Sequence, residues 1–300
     1  MQAERRSLIY AFIAIMSWST VASAFKIALS YFSHFEMLLI AALTAFSIFA
    51  LVMTFQRKWS YLSALTKKQW IKYALVGLLN PVAYYLVLFK AYDLLPAQIA
   101  QPINYFWPII LLIMLAVMKR KAIPSIKYIG MLTSLGGVVL ISLGSGNING
   151  TSLPMTGLLL ALLSAFLWAS FWIINNTNKD VDNIVSLFLN FMFGYFYLLI
   201  ASFFIGVNMN SFEGLLSSMY VGAFEMAVPF IFFSLALRKT NNPTLINQLC
   251  YLSPFISLFI IHIVLKENIF MTTYIGLFLI VLGIVFNEYL AERIKKKKEY

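Results

Sequence analysis

Ten apolar runs of bilayer-crossing length, separated by short polar connections, take up almost the whole chain. They fall at roughly 7–29, 35–55, 70–89, 96–118, 126–144, 155–175, 183–206, 212–236, 244–265 and 270–290. An α-helix of about 20 apolar residues crosses the hydrocarbon core of a membrane. In lipid the backbone must satisfy its own polar groups, so uninterrupted runs of this length read as helices. Of the 300 residues, 61% are hydrophobic and 11% charged, against about 45–50% and 25% in ordinary soluble domains. The expected fold class is therefore all-α integral membrane, with ten transmembrane helices.

The net charge of +11 would suggest nucleic acid only if the cations formed one face. Here they lie between apolar runs, so no nucleic-acid partner is expected and the bilayer itself is the partner. With the N-terminus inside, 19 of the 22 Lys and Arg fall on the cytoplasmic side, and only Lys26, Lys90 and Lys266 fall outside. The positive-inside rule then puts both termini in the cytoplasm. Lys295 to Lys298 read as an anchor at the anionic leaflet. Ala22-Ser23-Ala24 could pass for a signal-peptide cleavage site. The length of that run, and the recurrence of its Trp18 in the second half, assign it to the fold instead. Cys250 is the only cysteine, so no disulfide forms within the chain.

The second half repeats the first. Gly77-Leu-Leu-Asn80-Pro81 faces Gly222-Ala-Phe-Glu225-Met226 at an offset of 145 residues, and Tyr105-Phe-Trp-Pro108 faces Tyr251-Leu-Ser-Pro254 at 146. Ile129-Gly130 and Gly137 face Ile275-Gly276 and Gly283 at 146, and Trp18 faces Trp168 at 150. The chain divides into a first repeat, 1–145, and a second, 155–300, with a basic tail. Each holds five runs, an odd number, so the second enters the membrane from the opposite side. Inverted repeats with interrupted helices point to alternating access around a midplane site.

The polar groups inside the runs are the candidate site. Pro96 to Pro108 carries Gln98, Gln101, Asn104, Tyr105 and Trp107, with prolines at 96, 102 and 108. Gln98, Gln101, Tyr105 and Pro108 share one helix face. A weaker copy, Pro243 to Pro254, carries Asn247, Gln248 and Tyr251. Glu225 lies near the centre of its run, where a charge is costly and usually functional. It is the candidate for proton coupling or for binding a substrate ammonium; a hydrogen-bonded structural acid is the alternative. Asn80 is its counterpart, on a stripe with Gly77, Pro81 and Tyr84. Trp18, Trp107, Trp168 and Trp172 lie within runs, as core packing or as a wall for flat or cationic substrates. Lys26, Glu36, Lys90 and Asp93 sit at the outer rim, as interfacial charges or an outer gate. Gly130, Gly136, Gly137, Gly276 and Gly283 read as close helix contacts, between the halves or between the protomers of a homodimer. There is no phosphate-cradling glycine loop and no cluster of metal-ligand spacing, so no cofactor or metal is expected.

In this order, Trp18, Gly77, Ala91-Tyr92, Pro96, Pro108, Gly130 and Gly137, with their mates Trp168, Gly222, Ala236, Pro243, Pro254, Gly276 and Gly283, resemble the drug/metabolite transporter superfamily of EamA type. Lys266-Glu267 matches an acidic residue this family often places after its ninth span; Lys119-Arg120-Lys121 departs from it in the first half. Ile103 to Pro108 is most similar to bacterial aromatic amino-acid and paraquat exporters. The resemblance implies a secondary transporter in the bacterial inner membrane, not an enzyme. Its substrate would be a small metabolite, an aromatic amino acid foremost and a cationic drug as the alternative. A membrane enzyme on lipid-linked substrates and a helical scaffold are the rivals. The enzyme would need a nucleophilic or metal cluster at one interface, and the scaffold would not need polar midplane helices.

Overall fold

The computed structural model describes residues 2–118, 120, 123, 125–144, 153–177, 181–240, 246 and 249–287. Among them, seven helices are long and apolar enough to cross a membrane: Glu4–Leu29, His34–Phe55, Lys67–Leu94, Ala97–Met118, Met155–Ile174, Asn183–Ile205 and Phe212–Leu237. Three shorter apolar helices, Lys127–Ile141, Cys250–Leu265 and Met271–Val285, occupy the places of the remaining expected runs.

We number the helices α1 (Gln2–Leu29), α2 (His34–Phe55), α3 (Ser60–Ser63), α4 (Lys67–Gly77), α5 (Tyr84–Leu94), α6 (Ala97–Asn104), α7 (Trp107–Met118), α8 (Lys127–Gly144), α9 (Met155–Thr177), α10 (Asn183–Ile205), α11 (Phe212–Val221), α12 (Val228–Lys239), α13 (Ser253–Leu265) and α14 (Met271–Val285). Their starts are written locally. Ser33 and Glu36 form a capping box at α2, and Thr66 and Gln69 form another at α4. The Asp182 carboxylate caps α10, accepting from Ile184 N at 2.9 Å and Val185 N at 3.4 Å.

Two long helices are interrupted at matching places. Between α4 and α5 the turn widens over Leu78–Ala83, where Asn80 leaves helical geometry at φ −143°, ψ 116° ahead of Pro81. Between α11 and α12 it widens over Gly222–Ala227. The first break follows from the proline, which has no N–H to give the helix. The second has no proline inside it; Pro229 follows at the start of α12. The stretch from Pro96 bends as its prolines imply: α6 ends at Asn104, Tyr105 closes its last turn, and α7 starts at Trp107.

The halves interlock. α1 packs on α12 and α13, while its counterpart α9 packs on α5, α6 and α7. α2 packs on the Gly222–Ala227 turn, and its counterpart α10 packs on the Leu78–Ala83 turn. α2 and α10 also lie against each other: Phe49 meets Phe191 at 5.3 Å and Phe46 meets Tyr195 at 5.9 Å. The partner number rises as the residue number falls, so these two helices run antiparallel. α8 and α14 do the same through glycine. A Cβ on Gly130 or Gly137 would strike the carbonyl oxygen of Gly283 or Gly276, and the reverse substitutions would strike the first pair. The glycine contacts therefore join the two halves; Gly136 stands outside them, with nothing within 4 Å of its Cβ position. One continuous hydrophobic core draws on both halves.

Candidate functional site

The crossing of α1, α5, α6, α7, α9 and α12 leaves a half-open cavity of about 360 Å³. Its wall includes Trp18, Tyr84, Gln101, Asn104, Tyr105, Trp107, Trp168, Glu225 and Tyr251 from the expected set, together with Trp172. Gln98 and Asn80 stand off the wall. Asn247 and Gln248 lie outside the described residues.

The aromatic side chains form a connected lining. Tyr84 stacks on Trp168 with centroids 4.7 Å apart at 29°, and Trp107 stacks on Trp172 at 6.2 Å and 12°. Trp168 meets Trp172 edge-on at 6.2 Å, and Trp18 meets Phe233 at 5.5 Å. Residues from both halves thus share the wall. Such faces carry negative quadrupole potential and attract cations.

Polar groups break this lining at a few points. Glu225 sits at the widened turn between α11 and α12, is only 8% exposed, and accepts from the Tyr85 hydroxyl at 3.3 Å. The wide turn frees local backbone from regular helix geometry and aims a side chain inward, a common use of such turns. Asn104 Nδ2 donates to Ser164 Oγ at 2.8 Å, and Ser164 Oγ donates to Ala161 O at 2.7 Å. Gln101 is 4% exposed, and its Oε1 has no hydrogen-bond partner among the described residues. Tyr85 carried no separate signal in the sequence; it is adjacent to Tyr84, and only the packing of α5 brings its hydroxyl to Glu225.

Gln98 joins helices instead of lining the cavity. Its Nε2 donates to Asn268 O at 2.9 Å, while its Oε1 accepts from Phe270 N at 3.2 Å and Thr273 Oγ1 at 3.3 Å. Beside it, the Glu267 carboxylate accepts from Ala97 N at 3.3 Å and Gln98 N at 3.4 Å, capping the N-terminus of α6. Lys26 Nζ donates to Tyr92 O at 2.8 Å and Leu95 O at 3.2 Å, at the C-terminus of α5. Together these bonds pin the α5–α6 junction. Lys90 and Asp93 pair at 2.6 Å on an exposed helix face, a pair that contributes little. Glu36 Oε1 accepts from Asn208 N, at 2.6 Å, tying the loop after α10 to the start of α2. At the other end of these two helices Lys58 and Asp182 pair at 2.8 Å. Asn80 is buried among the helices with both amide atoms unpartnered among the described residues.

A bundle of apolar helices of membrane-crossing length, closed around a cavity with polar groups at its centre, defines the class: a multi-pass membrane transporter of small molecules. The chain belongs to the EamA-like transporter family, whose model matches it twice, over residues 5–143 and 155–289. It is 26% identical over 223 residues to the uncharacterized transporter YvbV of Bacillus subtilis (strain 168), covering 73% of this chain and 72% of that relative. A solved crystal structure superimposes with a TM-score of 0.69 over 96% of this chain and 98% of its own, at 18% identity; that likeness concerns the fold.

Proposed function

We propose that this protein is a secondary transporter that carries a small, amine-bearing aromatic metabolite across the bacterial inner membrane by alternating access. The observation that carries this reading is the half-open aromatic cavity at the meeting of the two halves, with Glu225 in its wall. The seven long and three shorter apolar helices are the ten crossings, with both termini in the cytoplasm as the Lys and Arg distribution asks. The antiparallel pairing of α2 with α10 and of α8 with α14 supports an inverted relation between the halves. A transporter built this way rocks one set of helices against the other around a fixed site. Export is the direction implied by the resemblance of Ile103 to Pro108 to known exporters, and Glu225 is the proton-coupling group. The cavity wall offers an apolar, stacked surface and a carboxylate rather than a nucleophile set, which favours transport over chemistry on lipid-linked substrates.

The test is flux from proteoliposomes loaded with radiolabelled Phe, Tyr, Trp, Thr or Cys and with aromatic amines, with and without a pH gradient. Saturable flux confined to aromatic compounds supports the reading, and gradient dependence supports coupling through Glu225. Flux of none of these compounds would overturn the proposed substrate range.

A further inference from the structure

From the charges around the cavity we infer that its preferred ligand is an aromatic monoamine without a carboxylate, an arylalkylammonium rather than the corresponding amino acid. This rests on the reading of the cavity as the substrate site. One carboxylate, that of Glu225, stands in the wall to meet an incoming ammonium. The Trp168, Trp172 and Trp107 rings supply the surface for an aryl group and attract a cation besides.

A zwitterionic amino acid brings a second charge, and no Lys or Arg stands among the described wall residues to pair with it. Among the described residues, every Lys and Arg lies in a connection or within about two helical turns of a helix end. Arg238 is 13 residues beyond Glu225, about 20 Å along a helix. Lys26 follows the wall residue Phe25, and its ammonium is already bonded to Leu95 O and to the carbonyl of Tyr92, another wall residue. Lys90 pairs with Asp93. A ligand carboxylate placed with its amine on Glu225 would therefore meet a like charge and the negative faces of indole rings.

The experiment is isothermal titration of the purified full-length protein in detergent with tryptamine, tryptophan, tryptophan methyl ester and indole-3-acetate. Tryptamine and the ester should bind at least tenfold more tightly than tryptophan, and indole-3-acetate should not compete. Glu225→Gln should lose at least tenfold in tryptamine affinity and narrow the difference between tryptamine and tryptophan. Size-exclusion elution of the variant reports its folding, and the wild-type comparison needs no variant. Equal or tighter binding of tryptophan overturns the inference. Flux is measured in parallel with the permanently charged N,N,N-trimethyltryptamine, which does not leak through lipid as a neutral amine does. Amine-selective binding without flux would sustain the inference and refute transport; flux of tryptophan at equal affinity would do the reverse.

Discussion

Gly136 and Gly137 are neighbours in sequence and opposites in environment, and exchanging each for alanine separates helix packing from helix propensity. A methyl group at Gly137 meets the Gly276 carbonyl oxygen, Ile280 Cγ1 at 2.9 Å and Ile280 N at 3.0 Å. Two of these three obstacles are backbone atoms, which cannot rotate aside. Restoring ordinary contact near 3.5 Å requires α8 and α14 to separate by on the order of 1 Å. The same movement would loosen the Gly130–Gly283 approach and stretch the bond from Ser134 Oγ to Ile280 O, now 3.0 Å. Overpacking of this kind costs about 1–3 kcal/mol. At Gly136 nothing lies within 4 Å, so alanine there brings only its better helix propensity, worth about 1 kcal/mol. That gain applies at both positions and cancels between the variants. Gly137→Ala should therefore be about 1–3 kcal/mol less stable than Gly136→Ala. Thermal unfolding of both proteins in one detergent, at one heating rate because such unfolding is often irreversible, reads the difference. Equal melting of the two variants would refute the close glycine packing of α8 on α14.

Three further outcomes follow from the site and its supports. Glu225→Gln should abolish the dependence of flux on a pH gradient while the protein still elutes as a folded species; an unchanged pH profile would remove Glu225 from coupling. Trp168→Ala should weaken binding of an aromatic ammonium roughly 10- to 30-fold, the loss of about 2 kcal/mol of desolvated cation–π and stacking contact; titration with tryptamine measures it, and wild-type affinity would place the ring elsewhere. Burial pushes the Asp182 carboxyl up, but the hydrogen bond and charge of Lys58 and the N–H groups of Ile184 and Val185 outweigh it and leave the group below its ordinary value of 3.8. Its contribution is therefore present above pH 3.8 and is lost as pH falls further through the folded value. Lys58→Met should lower stability at neutral pH by about 1–2 kcal/mol, between exposed and buried pairs, with the deficit shrinking in acid; a deficit independent of pH would mean lost packing only.

The sequence and the structure divide the candidate site unevenly. Trp18, Trp168 and Glu225 were legible because a large ring or a carboxylate inside an apolar run is conspicuous whatever its neighbours are. Gln98 looked equivalent to Gln101, three residues along the same face. The difference between them is made by Asn268, Phe270 and Thr273, which reach Gln98 from about 170 residues away and engage its amide. Tyr85 was unremarkable beside Tyr84 until the widened turn between α11 and α12 brought Glu225 to its hydroxyl. The repeat likewise predicted that the glycines would be contacts without saying whose. Gly137 and Gly276 turned out to meet each other across the halves, whereas Gly136 turned away.

By itself, then, the sequence determined the membrane class, the long apolar helices, the repeat and the stock of polar groups inside the apolar runs. Those properties are local: hydrophobic length, backbone satisfaction within a helix, and spacing along one chain. Only the tertiary structure decided which face of each helix meets which. Lipid tails are as apolar as leucine, so hydrophobicity does not choose between helix partners; close packing and a few buried hydrogen bonds do. That choice joined Trp168 to Tyr84, Tyr85 to Glu225 and Gln98 to the start of α14, and so separated the cavity wall from the structure that holds it.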